Sequence, residues 1–202
     1  MKKVVLILFF VCILRNEVFA KQKTKKEVKP IMKKVVMIIS KNNFRDEEYF
    51  QPKQILTKAK VEVVTASSST GTAKGMLGAT QNVDITIDEI DAKNYDAVIF
   101  VGGNGASEYF DNLQAHKIAR DTISGKKFLG AICIAPVTLA KAGVLKNKKA
   151  TVFLSEIDEI KKYGGNYTGK NVEVDGKIVT AAGPKAAKQF GEKILELLLR
   201  GA

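Results

Sequence analysis

The chain reads as an α/β domain built on a mostly parallel central sheet with helices on both faces. Two observations carry that reading. Short apolar runs alternate with longer segments of helical periodicity, the order that βαβ units produce. The runs themselves, such as Val35-Val36-Met37-Ile38-Ile39 and Ala97-Val98-Ile99-Phe100-Val101, are apolar throughout, as strands covered on both faces are.

The elements follow in order. Val35 to Ile39 predicts the first strand and Glu47 to Lys58 a helix, whose opening acids complement the positive end of the helix dipole. Val61 to Thr65 is the next strand. Ser67 to Gly78, rich in Ser, Thr and Gly, predicts a loop, with extended pieces through Val83 to Ile87. Ala97 to Val101 is a strand that ends in Gly102-Gly103, and Asn112 to Ser124 is helical. Phe128 to Ile132 is a strand leading into Cys133. Pro136 opens a helical pattern over Val137 to Ala142, since proline in a first helical turn leaves no N–H unsatisfied. Ala150 to Phe153 and Lys177 to Thr180 are further strand candidates, and Lys185 to Leu199 is a closing helix.

With 202 residues, one domain is expected, with ample chain to bury a core. The formal charge of +12 raises nucleic acid as a partner. Much of that charge is concentrated in one stretch: Lys21, Lys23, Lys25, Lys26, Lys29, Lys33 and Lys34. The chain has no Trp and no run of lysines interleaved with aromatics, so the stretch predicts a solvated tail and no nucleic-acid partner.

Residues 1–20 have the pattern of a targeting signal: Lys2-Lys3, the apolar stretch Val4 to Leu14, then Val18-Phe19-Ala20 before a cleavage point. The apolar run is short for a membrane span. The expectation is export, to the periplasm or outside the cell, with no stable membrane span after cleavage. The alternatives are an uncleaved anchor and a cytoplasmic protein whose translation starts near Met32. The organisation expected is a signal peptide over 1–20, a lysine-rich linker over 21–32 and one domain over 33–202. Cleavage would remove Cys12 and leave Cys133 alone, so no internal disulfide could form.

Chemistry points to strand ends, where reactive groups gather in parallel sheets. Cys133 sits at a strand-to-helix turn, beside free N–H groups and the positive end of a helix dipole, conditions that favour thiolate over thiol. The alternative is a buried structural cysteine. Glu48 lies among acids at a helix start. Next to a thiolate its carboxyl would stay protonated and donate a hydrogen bond to the sulfur. Gly102-Gly103 would let backbone N–H groups approach a ligand and, with the Ile134 amide, bind an oxyanion. His116, the one histidine, falls in a polar helix and is expected at the surface. One histidine and one remaining cysteine are too few soft ligands for a metal site, and Gly102-Gly103-Asn104-Gly105 lacks the Lys and Ser/Thr of a phosphate-binding loop. No metal and no cofactor are expected.

Five stretches in order resemble the ThiJ/PfpI superfamily. They are Phe44 to Pro52, Tyr95 through Gly103, Ala131-Ile132-Cys133-Ile134-Ala135-Pro136, Leu139 to Leu145, and Val174 through Pro184. The resemblance runs from about Lys33 to the C-terminus. It implies a flavodoxin-like three-layer sandwich of the class I glutamine-amidotransferase-like type. It also implies Cys133 as the nucleophile-elbow cysteine, Glu48 as its carboxyl partner, Gly103 and Ile134 as amide donors, and a homodimer or higher homo-oligomer. There are departures. Ile134 stands where PfpI-type peptidases carry a histidine, Phe153 or a neighbour where the parkinsonism-associated deglycase branch carries one, and Ala181-Ala182 where many relatives have Ser-Arg. A Cys–His peptidase mechanism thereby loses its general base. The expectation is a reactive Cys–Glu dyad acting on small reactive carbonyls in glyoxalase or deglycase fashion, or a stress- and redox-responsive protein. The alternatives are a cysteine peptidase acting on peptides and a non-catalytic oxidant sensor.

Overall fold

The computed structural model describes residues 32–200. The expected signal peptide, and the linker up to Met32, lie outside the described residues. The main sheet has seven strands. In chain order its members are β1 (Lys34–Ile38), β3 (Glu62–Ser67), β6 (Ile85–Thr86), β7 (Ala97–Phe100), β8 (Phe128–Ile132), β11 (Val172–Asp175) and β12 (Ile178–Ala181). The spatial order is β11-β12-β8-β7-β1-β3-β6, and every neighbouring pair is parallel except β11 with β12. This is the parallel α/β sheet the apolar runs predict, with one antiparallel edge.

The runs are apolar throughout because both faces are covered. Along β1, Val36 and Ile38 enter one core with Ile118 of α2 (Leu113–Ser124) and Val137 of α3 (Pro136–Lys141). Val35 and Met37 enter the other, with Tyr49 and Leu56 of α1 (Asp46–Lys58) and Phe190 and Ile194 of α5 (Ala187–Arg200). Strand alternation alone divides them between the layers. Gly130 keeps the sheet low under α5: a Cβ there would stand 3.0 Å from both Ile194 Cδ1 and Phe190 Cζ.

Two segments depart from expectation. Ser67 to Gly78 is not all loop: β4 (Gly71–Gly75) and β5 (Thr80–Val83) form an antiparallel hairpin, which joins β2 (Asn42–Phe44) in a three-stranded sheet. Ala150 to Phe153 does not extend the main sheet. Only Lys149–Ala150 (β9) is a strand, paired with Asn166–Tyr167 (β10) beside the short helix α4 (Ile157–Lys162).

Candidate active site

β1, β7 and β8 all point their carboxyl ends at one edge of the sheet, and three short junctions there assemble the site. After β8 the chain turns sharply at Cys133, whose φ of 63° lies in the left-handed region. A non-glycine residue held there costs roughly 1–3 kcal/mol, which the surrounding bonds must offset. They do so from both sides: the Cys133 N–H donates to the Ala181 carbonyl at 2.9 Å, and its carbonyl accepts from the Phe153 N–H at 2.9 Å. Pro136 then opens α3, as its position predicts.

After β7 comes the glycine pair. A Cβ on Gly102 would stand 2.5 Å from Cys133 Cβ and overlap Glu48 Oε2, so the missing side chain is what lets the carboxyl and the cysteine meet. Gly103, at φ 99°, accommodates the β2–α1 junction, where a Cβ would overlap Arg45 N and Asn43 O. The Arg45 N–H donates to the Gly102 carbonyl at 2.9 Å and ties the two junctions together.

Glu48 lies in the first turn of α1 and is fully buried. Its neighbours have other work. Asp46 accepts from the Leu77 and Ala79 N–H groups at 2.8 and 2.9 Å and holds the turn of the β4–β5 hairpin. Glu47 takes both arms of the Arg45 guanidinium at 2.8 and 3.0 Å. Neither Glu48 oxygen has a partner in standard hydrogen-bond geometry. The carboxyl nonetheless faces the Cys133 sulfur and the Gly102 N–H, both close enough to bias its proton. Burial dominates and pushes Glu48 up to about 8, so at neutral pH it carries a proton.

Cys133 is 8% exposed. Burial, and then the nearby Glu48 charge, push its thiol up to about 12, against the pull of the Gly103 and Ile134 N–H groups. The direction is opposite to what the turn and the helix dipole alone predict. The two amides do favour thiolate, but desolvation outweighs them. The resting pair is therefore a thiol beside a carboxylic acid.

The four residues singled out from sequence, Cys133, Glu48, Gly103 and Ile134, meet at one point. Cys133 opens into a cleft of about 360 Å³ whose walls include Arg45, Met76, Ser107, Phe110, Phe153 and Glu156. Sequence reasoning missed Met76, because nothing local marks the hairpin that delivers it. His116 does not line this cleft. Nor is it a surface residue: it is buried, and its Nε2 lies 2.8 Å from the Phe110 carbonyl, bracing the segment that carries the Phe110 ring. Among the described residues, no three His, Cys, Asp or Glu side chains gather as metal ligands.

Known proteins share this architecture. A family model described as the DJ-1/PfpI family matches residues 33–197. An uncharacterized protein of Methanocaldococcus jannaschii is 38% identical over 168 residues, 82% of either chain. Deglycase PfpI of Pyrococcus furiosus is 31% identical over 163 residues, 81% of this chain and 98% of its own. A glutathione-independent glyoxalase of Caenorhabditis elegans is 25% identical, covering 82% of this chain and 89% of its own. The crystal structure of a ThiJ/PfpI domain protein from Brachyspira murdochii matches with a TM-score of 0.82 at 32% identity, over 85% of this chain and 98% of that one.

Proposed function

This chain belongs to the DJ-1/PfpI family, and we propose that it is a cysteine-dependent enzyme acting on small reactive carbonyls, in glyoxalase or deglycase fashion. One observation carries the proposal: a fully buried carboxyl without a conventional partner faces the sulfur of a cysteine strained at a strand-to-helix turn. Structural burial alone gives no reason to place an ionisable group there.

The competent form is the pair that has lost one proton. The Cys133 proton passes to the Glu48 carboxylate while the sulfur adds to the aldehyde carbon of a 2-oxoaldehyde. The carbonyl π pair moves to oxygen, where the Gly103 and Ile134 N–H groups can donate, and Glu48 returns the proton to give a hemithioacetal. This addition needs no base beyond Glu48. Relatives named deglycase and glyoxalase support this class of chemistry. Consumption of methylglyoxal by the wild type, lost in Cys133→Ala and cut at least a hundredfold in Glu48→Gln, is the expected result. Equal rates for all three proteins would refute it.

A second reading rests on the same two amides. They would also hold the oxygens of a Cys133 sulfinate, formed by transfer of one oxygen atom from each of two peroxide molecules with release of two waters. Intact mass after mild peroxide distinguishes it, since oxidation confined to methionines excludes a sensor. A peptidase is not favoured, because no histidine lines the cleft. A homodimer or higher assembly and export of the chain are part of the proposal. Light scattering and N-terminal sequencing of exported protein test them.

A further inference from the structure

The edge of the sheet opposite the Cys133 cleft carries a row of lysines. Lys33 and Lys34 lead into β1, Lys126 and Lys127 directly precede β8, and Lys177 directly precedes β12. These strands run parallel, so their starts share one edge. From β12 across β8, β7 and β1 to β3, that edge is about 19 Å wide at the usual strand spacing.

Two clefts, of about 230 and 170 Å³, open there, and both are lined by Lys126 and Lys177. Lys148 joins the first, Lys33 and Lys127 the second. At the β3 end of the edge Lys34 is paired with Glu62 at 2.8 Å. Five ammonium groups line the two clefts, and the carboxylates facing them are Asp175 and Asp96. Both acids are already engaged. Asp175 meets Lys148 Nζ at 3.1 Å and the Lys149 N–H at 2.9 Å, and Asp96 meets Lys33 Nζ at 3.3 Å and the Lys34 N–H at 3.0 Å. Lys126, Lys127 and Lys177 enter no ion pair among the described residues.

The surplus charge attracts an anionic partner, and two features select its kind. Phe128 and Tyr95, the aromatic rings at this edge, are both buried, with the Lys177 ammonium 4.0 Å from the Phe128 centroid and the Lys34 ammonium 5.7 Å from that of Tyr95, so neither offers a face for stacking on a base. The chain also enters the domain at this edge through Lys33-Lys34. The sequence before it carries Lys21, Lys23, Lys25, Lys26 and Lys29, all of which cleavage after Ala20 would leave in place. A lysine-rich segment that leads into a basic face is an arrangement by which a chain attaches to an anionic membrane surface. No helix among the described residues is long and apolar enough to cross a membrane, so contact through this domain is peripheral.

We propose that this lysine edge docks on an anionic lipid surface and leaves the Cys133 cleft, at the other end of the strands, open to solutes. The test is co-sedimentation of the exported protein, which begins at Lys21, with vesicles of phosphatidylcholine, alone or mixed with phosphatidylglycerol. Binding should require the anionic lipid and weaken with salt. At about fivefold per lysine, Lys126→Gln, Lys127→Gln and Lys177→Gln together should weaken it on the order of a hundredfold. The control, Lys74→Gln with Lys161→Gln and Lys185→Gln, removes the same charge from exposed sites elsewhere and should retain most of the binding. An unchanged Cys133 alkylation rate shows that each variant is folded. Equal binding to both vesicles, equal loss in both triple variants, indifference to salt, or no binding would each overturn the proposal. So would tighter binding to a DNA duplex than to the anionic vesicles, which would assign the edge to nucleic acid.

Discussion

The Glu48 carboxyl is buried against Cys133 because Gly102 has no side chain: the space a Cβ would need there is filled by Glu48 Oε2 and Cys133 Cβ. Three chain segments contribute one residue each to that contact, and each is at the end or start of a regular element. The acid comes from the first turn of α1, the glycine from the end of β7 and the cysteine from the end of β8. Burial is the main cause that raises both groups; the Glu48 charge raises the thiol further, while the thiol, by donating to the carboxylate, draws the acid part of the way back.

The first prediction concerns reactivity. The pair loses its first proton near 8, and the step belongs to the pair. Alkylation of Cys133 by iodoacetamide, followed by intact mass, should therefore be slow at neutral pH and rise through about 8. In Glu48→Gln that step should disappear, leaving a rate that follows the thiol alone. Full reactivity already reached below neutral pH would show a thiolate stabilised by the turn, contrary to the burial of the site.

The second prediction isolates the glycine. Gly102 has no positive φ, so alanine is permitted by the backbone and its effect is one of space. Gly102→Ala must push the carboxyl and the cysteine apart, at an overpacking cost of about 1–3 kcal/mol. Urea unfolding should show that loss, and the alkylation profile should lose its step near 8 as Glu48→Gln does. A destabilised variant that kept the step would mean that the two groups interact by another route.

How far the sequence foretold this depends on what each feature rests upon. Phe128–Ile132 was legible as a strand because a run buried on both faces is apolar at every position. The β4–β5 hairpin was not. Its strands, Gly-Thr-Ala-Lys-Gly and Thr-Gln-Asn-Val, have little apolar alternation, and the turn between them is held by Asp46 from another element. Asp46 therefore looked like a simple helix-start acid. His116 looked solvated because its helix is polar, but it is buried and its Nε2 meets the Phe110 carbonyl, a contact that no local pattern marks. At the site, residue types and turn were legible from Ile132-Cys133-Ile134-Ala135-Pro136, and so was the dipole that favours thiolate. The opposing effect was not, because the desolvation of Cys133 arises only when Glu48 and the neighbouring segments close over it.

The last prediction is thermodynamic. Folding raises the Glu48 carboxyl from 4.5 to about 8, so within that window the folded protein holds a proton that the unfolded chain has released. Stability then falls as pH rises, because the unfolded state binds fewer protons. The favourable contribution is fully present below 4.5 and gone above about 8, a difference of about 5 kcal/mol. Paired acids such as Glu47 and Asp175 are held below their ordinary values and act in the opposite sense at lower pH. Comparison with Glu48→Gln removes their contribution, since both proteins share it. Urea midpoints measured on either side of the window should converge at the acid end and diverge at the alkaline end, where Glu48→Gln should be the more stable protein by several kcal/mol. Parallel curves across the window would mean that Glu48 ionises at an ordinary carboxylate pH, and the proton accounting for Cys133 would fall with it.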